Sequence, residues 1–222
     1  MNTKYRQNIA VIGSGISGLS ATHFLQKEHS ITLFEKNDKL GGHTNTYIIK
    51  SGPDEGVAID TGFIVMNSKN YPVLTKLFEE INIETQVSNM SFSYYDVKSN
   101  LQYCGNGLSG MFSQKKNLFD IQFYRMIKDI IRFNQQATKD VNNDKIMDNS
   151  LGQYLENYKF SKKFIEHHIV PMGSAIWSTP CEKMMNFPVK NFINFFNNHG
   201  LLSFKERPIW KVVKGGSYNY IN

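Results

Sequence analysis

The chain has 222 residues, 41% hydrophobic and 20% charged, which excludes a disordered protein and leaves room for one or two domains with real cores. Twenty-five basic residues against nineteen acidic ones give a net charge of +6, too mild to choose among anionic partners; no basic run alternates with aromatics, so nucleic acid is not an expected partner. Cys104 and Cys181 stand far apart in no metal spacing, which predicts two unpaired buried thiols, a reducing (cytoplasmic) location and no metal.

Asn8 to Ile12 is a short branched apolar run ending at Gly13, the pattern of a buried parallel strand. Ile16 to Lys27 reads as a helix with Leu19, Phe24 and Leu25 on one face, and Ser30 to Phe34 as a second strand closed by Glu35. Strand, glycine turn, helix and strand make a βαβ unit. Val57 to Met66 is a third extended stretch, interrupted by Asp60-Thr61-Gly62. Tyr71 to Ile81 has helical spacing, with Pro72 suited to its first turn. Alternation from Gln86 to Cys104 around Lys98-Ser99-Asn100 predicts a hairpin.

Leu118 to Gln136 is the clearest amphipathic helix, with Phe123, Ile127, Ile130 and Ile131 on one face. A polar break from Asp140 to Asn149 separates it from a shorter helix carrying Leu151, Tyr154 and Leu155. Arg125, Lys128 and Arg132 form a basic stripe on the long helix. It reads either as a solvated face or as an interfacial helix on an anionic membrane, with Phe119, Phe123 and Tyr124 beside it. The adjacent His167 and His168 cannot share a direction on a helix and read as solvent or core residues. Ile209 to Val213 is another strand, before Gly215-Gly216.

Gly13-Ser14-Gly15-Ile16-Ser17-Gly18 matches G-x-G-x-x-G. The first glycine permits the turn, the second lets backbone approach a pyrophosphate, and the third lets the helix pack on the sheet. The helix starting near Ile16 points its N–H groups and dipole at an anion. Glu35, seventeen residues past Gly18, suits the hydroxyls of a ribose and repels a 2′-phosphate.

Glu35-Lys36-Asn37-Asp38-Lys39-Leu40-Gly41-Gly42-His43-Thr44 resembles the second signature of the flavin amine oxidase superfamily, which includes monoamine and polyamine oxidases, protoporphyrinogen oxidase and phytoene desaturases. Val57 to Phe63 is similar to the segment that returns toward the flavin there. Ile176 to Pro180, Asn198 to Leu202 and Arg207-Pro208-Ile209-Trp210 resemble a bacterial, amine-oxidase-like branch of predicted NAD/FAD-binding proteins associated with lipid modification. His43 departs from the arginine common at its position, and the chain ends after Gly215-Gly216-Ser217 where such proteins continue, so it looks like the N-terminal part of one.

The resemblance implies an α/β fold: a Rossmann-type FAD-binding domain with an inserted mixed helical and sheet substrate region. The expected divisions are 1–85 for the FAD domain, 86–206 for the substrate region, and 207–222 for the start of a further segment. FAD is the expected cofactor, with Gly13, Ser14, Gly15, Ile16, Ser17, Gly18, Glu35, Lys36, Gly41, Gly42, His43, Thr44, Gly62 and Phe63 in its site. Trp177 and His199 are candidates for a substrate pocket, and no catalytic base is legible. The implied activity is hydride removal from a C–H bond of a fatty acyl or polyene substrate. The alternatives are oxidation of a small amine and a non-catalytic flavin-binding fragment. The expected location is cytoplasmic, with peripheral contact with the inner membrane face if the basic stripe meets lipid.

Overall fold

A computed structural model of the chain describes residues 5–146, 148–203 and 208–221. Arg207 of the Arg207-Pro208 segment and the terminal Asn222 lie outside the described residues. Two compact units emerge: Met1–Asn89 with Ile209–Asn222, and Met90–Pro208.

In the first unit, β1 (Asn8–Ile12) pairs in parallel with β2 (Ser30–Phe34), running from Asn8 opposite Ser30 to Ile12 opposite Phe34. Helix α1 (Ile16–Leu25) makes the crossover. The third extended stretch is shorter than its apolar run: β3 (Thr46–Ile48) pairs antiparallel with β4 (Ala58–Asp60). Helix α2 (Pro72–Glu80) begins on its proline, whose missing N–H would have no intrahelical partner there. Strand β5 (Thr85–Val87) follows.

The second unit opens with the hairpin β6 (Ser93–Asp96) and β7 (Leu101–Cys104), turned through Asn100 at φ 51°. It continues through α3 (Gly107–Met111), α4 (Ile121–Asn142), α5 (Leu151–Asn157), α6 (Lys162–Phe164), α7 (Val170–Trp177), α8 (Cys181–Met184) and α9 (Val189–Asn198). Instead of opening a further segment, residues 209–222 complete the first unit: β8 (Lys211–Val213) pairs antiparallel with β5. Gln86 therefore belongs to that pairing and not to the hairpin.

Several local expectations change for physical reasons. Helix α4 runs three residues into the predicted polar break, to Asn142, because Asp140 is buried and accepts hydrogen bonds from the Tyr154 hydroxyl (2.6 Å) and the Gln136 amide (2.8 Å); the rest of the break separates it from α5 as expected. A polar residue with buried partners does not end a helix. Arg132 leaves the basic stripe. Its guanidinium pairs with the buried Asp129, donates to the Tyr158 carbonyl at 2.8 Å and lies over the Phe160 ring. Phe123 is wholly buried and Ile131 is exposed. Cys104 is half-buried and Cys181 exposed.

His167 and His168 each reach a different tyrosine of the β6–β7 hairpin. Between α6 and α7 the chain makes a π-helical turn, Ile165–Ile169, and Pro171 has no N–H for the His167 carbonyl four residues back. The Tyr103 hydroxyl donates to that carbonyl at 2.7 Å. With its one proton committed, the same oxygen accepts from the His168 Nδ1–H at 2.9 Å, while Tyr94, opposite Tyr103 in the hairpin, bonds to His167 Nδ1 at 3.0 Å. Burial pushes the His168 imidazole down to about 4.

The core of this unit is aromatic. Phe133 has the rings of Tyr154, Phe160, Phe164, Phe192 and Phe196 at centroid distances between 5.8 and 6.4 Å. Such pairs add to the area buried. Phe133→Ala is expected to lower the unfolding free energy of the helical unit by about 3–5 kcal/mol, read as a shift of the denaturant midpoint. A change below about 1 kcal/mol would show that the ring does not organise this core.

Candidate functional site: a glycine-built dinucleotide cradle

The site begins at the end of β1. Gly13 takes φ 93°, a conformation L side chains rarely adopt, and its N–H donates to the Phe34 carbonyl of β2 at 2.7 Å. Gly18 sits on the first turn of α1, where a Cβ would come within 1.9 Å of the Gly13 carbonyl oxygen, so helix and turn pack with no room for a side chain. Gly15 is different: a Cβ there would meet no atom within 4 Å, and its backbone, φ −65° and ψ 175°, suits any residue.

A second glycine turn lies against the first. Gly41 and Gly42 both have positive φ, and a Cβ on Gly42 would come within 2.9 Å of the Gly15 Cα. Ser14, fully buried, joins the two turns: its carbonyl and its hydroxyl both accept from the Gly41 N–H, at 3.0 and 3.2 Å. Glu35 completes the connection. Its Oε2 accepts from the Ser14 hydroxyl (2.6 Å) and N–H (2.9 Å), and its Oε1 from the Asn37 N–H (2.9 Å). These bonds, the Ser14 hydroxyl first, hold the carboxyl down at about 2, so it is an ionised acceptor at every physiological pH.

Helix α1 starts at Gly15 with no side-chain cap and no acidic residue in its first turn. Its leading N–H groups, at Ile16, Ser17 and Gly18, are therefore donors that the described protein leaves for something else. An anion stabilised there gains about 0.3–1 kcal/mol from the helix end alone. Uncapped donors, an open Gly15 and two touching backbone turns fit a pyrophosphate approached closely by main chain.

The other expected residues divide by place. Lys36 and His43 are exposed beside the cradle, with the His43 carbonyl packed so closely on Gly62 that a Cβ there would lie 1.8 Å from it. The Thr44 side chain is buried and hydrogen-bonded to the Tyr220 hydroxyl, and Phe63 packs edge-on against the Tyr220 ring at 6.2 Å. Both belong to the core that backs the cradle. In the second unit, Trp177 sits among Phe187, Phe192, Phe195 and Phe196, and His199 stacks on Phe195 at 3.8 Å while its ring nitrogen bonds the Phe195 carbonyl. Both are engaged with phenylalanines of one cluster. Sequence reasoning missed Asp60, which accepts from the Thr46 hydroxyl (2.6 Å) and from the Ser217 N–H (2.9 Å) and hydroxyl (2.8 Å). Its partner is 157 positions away, and no local signal marks it.

Residues 11–81 match the family model described as an NAD(P)-binding Rossmann-like domain. This segment has a Rossmann-like fold. Over 92 residues, or 40% of the chain, the protein is 33% identical to the FAD-dependent oxidoreductase dbaF of Emericella nidulans, covering 18% of it. Over 220 residues, or 94% of the chain, it is 24% identical to coproporphyrinogen III oxidase of Staphylococcus aureus, covering 42% of that protein. Among solved structures it is similar to wild-type putrescine oxidase bound to putrescine, with a TM-score of 0.60 at 19% identity over 97% of this chain and 47% of that one. At that identity the likeness is one of fold. The chain spans less than half the length of the curated relatives it matches.

Two predictions follow the geometry of the Rossmann-like domain. Gly15→Ala should fold with an unchanged melting temperature and lose dinucleotide binding, whereas Gly18→Ala should lower the melting temperature itself; the reverse ranking would move the phosphate site elsewhere. For Glu35, the folded value of about 2 lies below the ordinary 4.5, so its contribution is complete above pH 4.5 and disappears as pH falls toward 2. The melting-temperature gap between wild type and Glu35→Gln should be flat above pH 4.5 and close below it. A gap that closes on the alkaline side would mean the carboxylate does not hold the turn.

Proposed function

We propose that this chain is the FAD-binding part of an FAD-dependent oxidoreductase acting on a lipid-like C–H donor. The observation that carries the cofactor reading is the contact of the two glycine turns, with Gly42 lying against Gly15 beside uncapped α1 donors. A dinucleotide can lie there only if main chain, and not side chains, lines its pyrophosphate. The FAD-dependent name of the Emericella relative supports a flavin over a nicotinamide.

A bound flavin would supply hydride acceptance from a substrate carbon. The chain's own part is to bind and orient. The N–H groups of Ile16, Ser17 and Gly18 hold phosphate, and Glu35 keeps acceptor capacity on Oε1 for ribose hydroxyls. Its fixed negative charge disfavours a 2′-phosphate, which selects against NADP-type ligands.

For the substrate, support for an apolar donor over a small amine comes from Trp177. Its ring packs at tilted angles against Phe187, Phe192 and Phe195, so the surroundings it offers are apolar. The test uses the full chain. FAD should bind with one-to-one stoichiometry in a calorimetric titration and NADPH should not, and Glu35→Ala should weaken FAD by about tenfold or more. Anaerobic addition of fatty acyl or polyene lipids should bleach the flavin absorbance where putrescine does not. Tight NADPH binding without FAD would overturn the cofactor, and bleaching by putrescine alone would overturn the substrate class.

A further inference from the structure

Helix α4 carries two opposed faces. Phe123, Met126 and Phe133 are buried in the core, while Ile121, Tyr124, Arg125 and Lys128, at i, i+3, i+4 and i+7, are all exposed. The 3-10 turn just before it, Lys115–Phe119, extends that outer face with exposed Leu118 and with Phe119, which is 89% exposed. Ile121 is 81% exposed. Single exposed apolar residues are ordinary, but two large side chains standing almost free, flanked by Leu118 and Tyr124, form a cluster.

The charges around this tip have one sign. Among the described residues, Lys115, Arg125 and Lys128 are exposed and make no ion pair, and Lys116 donates to the Asn100 carbonyl. The one acid between Lys115 and Lys128 is Asp120. It caps α4 by accepting from the Gln122 and Phe123 N–H groups and is paired with Lys163. Asp129, next along, is buried and held by Arg132 and the Ser161 N–H, so it offers the surface no counter-charge.

We infer that the stretch from Lys115 to Lys128 docks on a bilayer bearing anionic phospholipid headgroups, with Phe119 and Ile121 inserted shallowly and Arg125 and Lys128 on the phosphates. An apolar tip rimmed by unpaired cations complements such a surface in both respects. No helix among the described residues is long and apolar enough to cross a membrane, which keeps the contact at the interface. Phe123, the other aromatic candidate for insertion, belongs to the core.

The inference does not rest on the cofactor reading. The full chain is sedimented with phosphatidylcholine vesicles and with vesicles containing phosphatidylglycerol, at low and high salt. Binding is expected only to the anionic vesicles, and it should fall as salt rises because exposed charges are screened. Phe119→Ser with Ile121→Ser, and separately Arg125→Glu with Lys128→Glu, should each reduce the bound fraction about tenfold or more at unchanged melting temperature. Failure to bind anionic vesicles, equal binding to neutral ones, or variants that bind like wild type would overturn it. So would a wild-type dimer in solution that Phe119→Ser separates, which would place a second copy on this face. Flavin content, read in the same samples, reports on the cofactor site alone.

Discussion

The contact between Gly15 and Gly42 is the constraint on which the rest of the first unit depends. Two loops that are distant along the chain approach so closely that a methyl group on Gly42 would strike the Gly15 backbone. This proximity requires Gly41 and Gly42 to adopt left-handed backbone and requires the buried Ser14 to satisfy the Gly41 N–H. Glu35 then fixes Ser14 from the end of β2, so one carboxylate positions both turns. Behind them, Thr44 and Phe63 meet Tyr220, brought back by the final segment of the unit. At Gly18 and Gly42 there is no room for a side chain, while Gly15 leaves open space beside main chain, a lining that suits a polyphosphate.

The second unit is held by a different principle. Its helices share an aromatic core around Phe133, and its buried carboxylates are each given partners: Asp129 has Arg132 and the Ser161 N–H, and Asp140 has Tyr154 and Gln136. Burying such groups without partners would carry a heavy penalty. The consequence reaches the surface. Of the three cations of the stripe, Arg132 is engaged by Asp129 and the Tyr158 carbonyl, whereas Arg125 and Lys128, nearer the Phe119 end, make no ion pair among the described residues.

The π-helical turn shows how a local irregularity is satisfied by a distant element. Pro171 leaves the His167 carbonyl without its usual donor, and the Tyr103 hydroxyl from the hairpin supplies one. That same oxygen then dictates which nitrogen of His168 carries the proton, as burial keeps the ring neutral. Polar geometry here is a tertiary product, even though proline, histidines and tyrosines are all visible in the sequence.

The sequence by itself determined the βαβ opening, the dinucleotide turn and the helices α2 and α4, because each is set by short-range rules: glycine's freedom at positive φ, a proline at a helix start, and apolar periodicity. Only the tertiary structure decided what those elements do to one another. Glu35 braces Ser14, Gln86 pairs with β8 instead of joining the hairpin, and Asp60 meets Ser217 across the chain. Arg132, read as part of an outer stripe, pairs with the buried Asp129, and Asp140, read as the start of a break, accepts from Tyr154. The reason is common to all of them. A hydrogen bond or ion pair is fixed by distance in space, and separations such as that between Asp60 and Ser217 leave no periodic trace along the chain for a local pattern to record.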